Sequence, residues 1–301
     1  MTDPPRATGT IHDLGYKRYV GTRRPSSTRW RVIMRHQIAT SWKTWWRFKS
    51  AVGLAVITTM VAAAVIYFMH DKMFGMFSQG PIVRTFADSV LPASIEWYLR
   101  VAFIMSLTIG ATVAADVQSG AFTFYFARSV RPLDYVAGKI AGLGALYAVV
   151  LLVGPLLLAA LQLGMSGEPR AMLLQLPILG KSLAVGSLAT LVYATVPLAF
   201  SALVPNRRYA LALWAAYYVV VGGMALLLGY KVWGPLAALD LPTSLRIVTY
   251  ELFDVQIRFG RSTNLTLVPA LIGIGLHVGV AIAIVLYRVG SAQRTGIGGA
   301  S

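Results

Sequence analysis

The chain lacks the residues on which many secreted proteins and enzymes depend. It has no cysteine, which excludes disulfides and thiolate metal sites. Only 13% of its 301 residues are charged and 56% are hydrophobic, whereas a soluble chain of this length needs far more charged surface. Its four histidines show no HExxH or other metal-ligand spacing, and no GxSxG nucleophile motif is present. The sequence therefore predicts a membrane protein that is not itself an enzyme.

Six apolar stretches are suited to crossing a hydrocarbon core about 30 Å thick. Lipid offers no hydrogen bonds to the backbone, so these stretches must be helices or strands of a closed barrel. They are continuously apolar, which excludes the alternating pattern of a barrel. We therefore predict an all-α, polytopic membrane protein with six transmembrane helices near residues 51–69, 97–115, 137–163, 183–204, 210–229 and 268–288.

The predicted spans contain few ionisable residues. None of the eleven acidic residues lies in the middle of a span, which disfavours proton- or sodium-coupled transport. His277 is the one ionisable side chain deep in a span, and we expect it to form an interhelical hydrogen bond rather than carry protons. Gly180, Lys181 and Ser182 copy the end of a phosphate-binding loop, but Gln175 stands where the first glycine is required, so no ATP site is predicted there.

The distribution of lysine and arginine predicts the orientation of the chain. With the amino terminus in the cytoplasm, the cytoplasmic side holds eighteen basic and four acidic residues, and the outer side holds nine basic and seven acidic residues. Positive charge near a span resists translocation, so both termini are predicted to be cytoplasmic. The net charge of +16 is then a topology signal, and anionic membrane lipids rather than nucleic acid are the expected counterpart.

Four regions follow from the pattern of polar and apolar residues. Residues 1–28 are predicted to be an extended cytoplasmic leader, 29–49 an amphipathic helix, 50–290 a six-span transmembrane domain and 291–301 a flexible cytoplasmic tail. The helix is expected to lie at the cytoplasmic membrane interface, either as a passive anchor or as a lever moved from below. Its tryptophans suit the headgroup depth and its arginines attract anionic lipid, in particular Trp30, Arg31, Arg35, Trp42, Trp45 and Trp46.

Small residues and prolines in the spans predict packing features. The pairs Gly138 and Gly142, and Gly275 and Gly279, allow close approach of helices, and we expect these contacts to be within the chain. Prolines can kink a span by removing a backbone hydrogen bond, here at Pro155, Pro197 and Pro269.

The outer segment between the fifth and sixth spans, residues 230–267, is longer than a connection requires. A short helix is predicted after Pro242, capped by Thr243 or Ser244. It can act as a gate over an exit path or simply as a surface lid, and the sequence leaves both interpretations open.

Residues 116–139, DVQSGAFTFYFARSVRPLDYVAGK, place a glycine-broken, aromatic and arginine-containing segment between the second and third spans. Asp116 ends the second span, and Gly120 is predicted to break the helix. Aromatic residues then fill a short amphipathic stretch. Pro132 suits the first turn of the third span, where its missing N–H costs nothing, and Asp134 favours the same helix end.

This segment resembles the intracellular loop of ABC exporter permeases of the type-2 class. The pattern is an acidic residue, a glycine four later, an apolar-aromatic run, a basic turn with proline, and Tyr-x-x-Gly-Lys, here matched by Asp116, Gly120, Phe122, Arg128, Tyr135, Gly138 and Lys139. The family commonly has Glu at the position of Asp116, and its Arg-Pro is Arg128-Ser129 here, with the proline displaced to Pro132. The leader sequence IHDLGYKRYVGTRRP is also similar to the start of some bacterial permeases of this class.

The resemblance implies a function and partners. Such permeases lie in the bacterial inner membrane and work as dimers, so a second copy or a paralogue is expected. Each half is seated on a separately encoded ATP-binding cassette subunit, which holds ATP and magnesium, so no cofactor is expected in this chain. Residues 117–131 would be the coupling helix, and Phe122 and Phe126 would fill a pocket of the ATPase. The ATPase-coupling residues implied are Asp116, Ser119, Gly120, Phe122, Phe126, Arg128, Arg131, Pro132, Tyr135, Gly138 and Lys139.

The sequence thus predicts the transmembrane permease subunit of an ABC exporter, with ATP hydrolysed by a separate subunit. An alternative is a non-catalytic structural or assembly subunit of a membrane complex, in which residues 29–49 and 116–139 bind a partner that is not an ATPase. A membrane enzyme is disfavoured because no acid/base constellation is present. The transported substrate cannot be identified from the sequence.

Overall fold

The computed structural model describes residues 28–43, 48–70, 81–127, 130–165, 169–255 and 265–294. All regular structure in these ranges is helical, so the all-α prediction is confirmed. The α-helices are α1 Arg29–Lys43, α2 Ser50–His70, α3 Pro81–Ile109, α4 Thr112–Gln118, α5 Ala121–Ala127, α6 Pro132–Leu151, α7 Val153–Gly164, α8 Pro169–Gln175, α9 Pro177–Leu203, α10 Arg207–Ala216, α11 Gly222–Lys231, α12 Leu241–Leu252 and α13 Leu267–Arg294. A π-helical turn, Tyr217–Val221, joins α10 to α11, and a 3-10 turn, Gly234–Leu239, precedes α12.

Six helical stretches of the described chain are long and apolar enough to cross a membrane, as the sequence predicts. Several begin earlier than expected, because helical hydrogen bonding continues through polar positions such as Glu96 and Lys181 that lie outside the apolar windows. The six stretches are Ser50–Met69, Ser89–Gln118, Pro132–Gly164, Pro169–Leu203, Arg207–Lys231 and Leu267–Arg294.

The second and fourth spans form the centre of the helical bundle. In the most apolar 18-residue stretch of each of these spans 61% of the residues are buried, whereas the corresponding value is 17% in the first and fifth spans. Buried polar side chains tie the centre together: Tyr193 donates to the carbonyl of Leu99 at 2.9 Å, and its hydroxyl lies 3.0 Å from that of Tyr218. The indole N–H of Trp214 donates to the hydroxyl of Ser106 at 2.6 Å. Because so few of their residues are buried, the first and fifth spans present most of their apolar surface outward.

The second span is interrupted between α3 and α4. Backbone groups released within a membrane must find other partners, and side chains from later helices supply them here. The guanidinium of Arg207 donates to the carbonyl of Thr108 at 2.7 Å, and the N–H of Ala114 donates to the hydroxyl of Ser201 at 2.9 Å. The break is therefore a defined feature of the fold, held by α9 and α10.

The prolines in the spans differ in their effect. The third span is interrupted at Leu152, between α6 and α7, next to Pro155, whose missing N–H removes the helical donor to the carbonyl of Leu151. The helix α9 continues through Pro197, and Pro269 lies in the first turn of α13. The expected disruption of a span therefore accompanies Pro155 alone among these three prolines.

Helix α1 packs against α6, and glycines of α6 make the close approach possible. A Cβ atom at Gly138 would lie 2.7 Å from the Cβ of Ile33, and one at Gly142 would lie 2.9 Å from the Cβ of Gln37. The buried face of α1 is therefore Ile33, Gln37 and Ser41. The predicted intramolecular contact at Gly138 and Gly142 is confirmed.

The second glycine pair behaves differently. Within the described residues, a Cβ atom at Gly275 or Gly279 would have no atom of a neighbouring helix within 4 Å, so the expected helix contact is not found there for this pair. Both glycines lie on a face of α13 that the rest of the described chain does not cover. His277, on the same helix, forms the expected interhelical hydrogen bond, with Tyr217.

The segment between the fifth and sixth spans contains the predicted short helix, α12, but its cap was predicted wrongly. Asp240 is the N-cap, and its carboxylate accepts from the N–H of Thr243 at 3.2 Å. The helix begins before Pro242 because proline is compatible with the first helical turn. Leu245 and Val248 are buried against the bundle. The gate and lid interpretations concern in part residues 256–264, which lie outside the described residues.

Candidate docking segment and its buried ion pair

The segment between the second and third spans, residues 117–131, is here called the docking segment. Its first turn is set by Gly120, which has φ +66°, a left-handed conformation that favours glycine. The N–H of Gly120 donates to the carbonyl of Val117 at 3.1 Å, and its carbonyl accepts from the hydroxyl of Thr123 at 2.6 Å. The predicted helix break at Gly120 is confirmed, and α5 follows it directly.

The far end of the docking segment is set by the start of the third span. Arg131 is the N-cap of α6, with extended backbone angles of φ −84° and ψ 152°, and Pro132 lies in the first turn. The N–H of Arg131 donates to the carboxylate of Asp134 at 3.4 Å. The predicted helix start is confirmed, and Arg131 and Leu133 are exposed beside it.

A buried ion pair joins the two spans that flank the docking segment. The Nζ of Lys139 lies 2.7 Å from Oδ2 of Asp116, and the hydroxyl of Tyr135 donates to the same oxygen at 2.6 Å. The side chain of Lys139 is only 3% exposed and that of Asp116 is 16% exposed. Isolated charges at such depth are strongly disfavoured, so each of the two charges requires the other.

The same lysine also binds α1. Its Nζ donates to Oε1 of Gln37 at 3.0 Å, and the amide of Gln37 donates to the hydroxyl of Ser41 at 3.3 Å. Five residues from three elements therefore form one hydrogen-bonded network, which we call the charge network: Gln37, Ser41, Asp116, Tyr135 and Lys139. Three of these are matched positions of the sequence motif, and the charge network ties α1, α4 and α6 together.

Aromatic rings attach α5 to the base of the docking segment. Phe122 is 1% exposed, and its ring centroid lies 5.2 Å from that of Tyr135 and 5.6 Å from that of Phe126. The expectation that Phe122 fills a pocket of a partner is wrong, because its ring is already buried within this chain. Phe124, which is 70% exposed, is the most exposed aromatic side chain of α5 and the one best placed to contact a partner.

Tyr125 completes the aromatic cluster, with its ring centroid 5.5 Å from that of Tyr135. Burial raises the pKa of Tyr125 to about 12, and the nearby carboxylate of Asp116 contributes in the same direction. Its hydroxyl therefore stays protonated and neutral under physiological conditions.

The other predicted residues of the docking segment are placed as follows. Ser119 is exposed, and its hydroxyl donates to the carbonyl of Asp116 at 3.3 Å. Gly138 contacts α1 through its backbone, where a Cβ atom would lie 2.7 Å from the carbonyl oxygen of Trp30. Arg128 lies outside the described residues.

The predicted interfacial residues of α1 are mostly exposed. Arg31 and Arg35 are exposed, Trp42 is 53% exposed, and Trp30 is half-buried. Trp45 and Trp46 lie outside the described residues. Contact of α1 with lipid remains a prediction, while its packing on α6 is a feature of the fold.

Sequence reasoning missed two residues of this site. Gln37 lies on the buried face of α1 between Ile33 and Ser41, where the apolar pattern of the helix gave no reason to select a glutamine. The spacing of these residues, four apart, is the one available signal. Phe124 was not distinguished from its aromatic neighbours, because only the packing of α5 shows which ring faces outward.

Comparison with known proteins leaves the chain without an assigned family. No family model matches the sequence, and no curated protein matches it. The candidate site therefore depends on its geometry, and the resemblance of the 116–139 segment remains a basis for proposals.

Proposed function

We propose that this chain is the transmembrane permease subunit of an ABC exporter in a bacterial inner membrane, with both termini in the cytoplasm. One observation carries the proposal: the docking segment presents an exposed aromatic residue, Phe124, on a base fixed by the pair of Asp116 and Lys139. A subunit that is driven from outside the membrane needs such a rigid attachment point.

The contacts of the docking segment are suited to transmitting a displacement. A push on α5 reaches α6 through the packing of Phe122 on Tyr135. It reaches α4 through Asp116 and α1 through the hydrogen bond of Lys139 to Gln37. These elements are held by buried contacts, so we expect α1, α4 and the start of α6 to move as one body with α5.

The partners follow from the same proposal. ATP and magnesium are bound by a separate ATP-binding cassette subunit, and this chain contributes only the docking surface. The first and fifth spans bury only 17% of their most apolar windows within the chain, which leaves outward faces for a second permease copy or for lipid. The transported substrate is not specified by these features.

A pull-down of the tagged, full-length protein from its native membranes in mild detergent tests the proposal. We expect an ATP-binding partner to co-purify in stoichiometric amount with ATPase activity. The variant Phe124→Ala should lose this partner, because an exposed aromatic anchor commonly contributes about 2 kcal/mol or more to an interface. The matched control is Leu174→Ala, which removes a 77% exposed side chain from α8, the short helix that begins the fourth span at the opposite end of the bundle.

Two results would contradict the proposal. If the protein is recovered with partners that lack ATPase activity, the structural or assembly alternative is favoured. If the ATPase is retained equally by Phe124→Ala and by the Leu174→Ala control, the docking segment is not where it binds.

A further inference from the structure

A polar cavity of about 130 Å³ lies beside the charge network, at the end of the bundle that carries the docking segment. It is lined by α1, by the break between α3 and α4, by α6 and by the start of α10. The residues that matter for its chemistry are Gln37, Thr112, Asp116, Lys139 and Arg207. The proposed function uses the ion pair of this group but leaves the cavity itself without a role.

The charges around the cavity favour an anion. Lys139 and Arg207 bring two positive charges, and Asp116 brings one negative charge. The lining therefore carries an excess of positive charge beside partly buried side chains, where an anionic ligand interacts more strongly than it does in bulk solvent. Lys139 is held in position by Asp116 and Gln37, so the charge is fixed in place before any ligand arrives.

A hydroxyl in the wall of the cavity lacks a partner. The Oγ1 of Thr112 is buried and has no hydrogen-bond partner within the described part of the chain. Buried hydroxyls are nearly always satisfied, and a polar group bound in the cavity would supply the partner that this one lacks. Thr112 begins α4, directly after the break, and it lines the cavity together with Arg207.

The size and the position of the cavity limit which ligands it can bind. One water requires about 10–15 Å³ of cavity volume, so a cavity of about 130 Å³ has room for a group of several oxygen atoms. It lies where the second span ends and the fifth begins, which is the depth of lipid headgroups. We infer that the cavity binds a phosphate group, contributed either by an anionic phospholipid or by free phosphate, through Lys139, Arg207 and Thr112. The inference does not depend on the proposed transport function.

Purified, delipidated full-length protein tests the inference by its melting temperature in detergent. The probes are phosphatidylglycerol, a glycosyl diacylglycerol with the same acyl chains, and inorganic phosphate. A ligand that binds the folded state raises the melting temperature with concentration, which gives an apparent Kd. We expect Arg207→Gln to bind the phosphate probe about tenfold or more weakly, because a charge-assisted hydrogen bond is lost. The matched control is Arg208→Gln, which removes the same charge from an exposed neighbour on α10.

Thr112→Val provides a second, isosteric test that leaves all charges in place. If the inference is right, this variant folds normally and binds the probe several-fold more weakly. Stabilisation by phosphatidylglycerol alone assigns the site to a lipid headgroup, and stabilisation by inorganic phosphate assigns it to free phosphate. The inference is overturned if the glycolipid stabilises as well as phosphatidylglycerol does while inorganic phosphate has no effect. It is equally overturned if no probe stabilises, if Arg208→Gln weakens binding as much as Arg207→Gln, or if Thr112→Val binds like the wild type.

Discussion

The ammonium of Lys139 lies 2.7 Å from the carboxylate of Asp116, and these two residues flank the docking segment in the chain. The pair therefore closes the segment at its base, so that α5 stands on a fixed support rather than on a flexible connection. Because Lys139 also binds Gln37, the support includes α1. Any partner that holds α5 consequently acts on the ends of two spans and on α1 together.

Removing one member of this pair should destabilise the protein strongly. Lys139→Met leaves the Asp116 carboxylate without its cation, and breaking a buried pair in this way costs about 3–5 kcal/mol. The double variant Asp116→Leu/Lys139→Met should recover most of that loss, because no unpaired charge remains. Unfolding in detergent, followed by tryptophan fluorescence, compares the two variants with the wild type.

A less buried pair in the second span, in which the Glu96 side chain is 23% exposed, serves as the control. Arg100 lies 3.9 Å from Glu96 and its side chain is 58% exposed. Arg100→Met should change stability by less than about 1 kcal/mol. Equal losses for Lys139→Met and Arg100→Met would show that the pair of Lys139 and Asp116 does not behave as a buried one.

Gly138 should not tolerate a methyl group, because the backbone of α1 lies against it. The Cβ of Gly138→Ala would be 2.7 Å from Ile33 Cβ and 2.7 Å from the Trp30 carbonyl oxygen, so α1 must shift. Overpacking of this kind costs about 1–3 kcal/mol. Limited proteolysis within α1 should become faster.

Gly144→Ala is the matched control on the same helix. A Cβ atom there would have its nearest contacts, Ala194 and Thr190, at 4.0 Å. We expect unchanged or slightly higher stability, since alanine is the better helix former. If both alanine variants melt alike, the close packing of α1 on Gly138 is wrong.

Truncation of the two phenylalanines of α5 should affect the stability of the protein very differently. Phe122→Ala removes a ring that is 1% exposed, and such truncations cost about 3–5 kcal/mol. Phe124→Ala removes a ring that is 70% exposed, and surface changes of this kind stay within about 0.5 kcal/mol. Thermal melting of the two variants in parallel checks the contrast. A large loss of stability in Phe124→Ala would mean that its ring packs within the protein.

Features that depend on the local backbone could be predicted from the sequence. The six spans follow from continuous apolar runs, because a lipid environment permits few other structures for them. Gly120 and Pro132 define the two ends of the docking segment, because a left-handed residue and a missing N–H act locally. The fold class and the position of the candidate site were therefore predictable.

Features that depend on a distant partner could not be predicted. The buried face of α1 includes Gln37 because Lys139 of another helix requires an acceptor there. Phe122 and Phe124 are the same residue type, two positions apart in the sequence. Only the fold shows that Phe122 is buried against Tyr135 while Phe124 is exposed. Arg207 was counted as a topology signal, whereas its guanidinium also binds the carbonyl released by the break in the second span.

The absence of cysteine allows the predicted orientation to be measured directly. Ser119→Cys places a single thiol on the exposed start of the docking segment. A membrane-impermeant maleimide should label it in inside-out vesicles and not in intact cells. Leu174→Cys, on α8 at the other end of the third span, should show the reverse. Labelling of Ser119→Cys in intact cells would place the docking segment outside and contradict the N-in, C-in topology.

Asp240 should make the stability of the outer segment depend on pH. It caps α12 and is 7% exposed, and burial raises the pKa of its carboxyl above the ordinary value of 3.8, although its hydrogen bonds to Thr243 act in the opposite direction. The folded protein therefore holds this proton more tightly than the unfolded chain does. Its contribution to stability is fully present below pH 3.8 and is lost as the pH rises through the folded-state pKa.

Asp240→Asn should remove this contribution while keeping the cap, since asparagine is as good an N-cap as aspartate. Unfolding measured between about pH 4 and 8 should show a smaller decline with rising pH in the variant than in the wild type, and equal or higher stability of the variant at pH 7. Asp240→Ala should flatten the pH profile in the same way but be about 1 kcal/mol less stable than Asp240→Asn at every pH, because the hydrogen bond to the N–H of Thr243 is gone. A steeper decline in Asp240→Asn would mean that ionised Asp240 stabilises the fold, the opposite of what its burial implies.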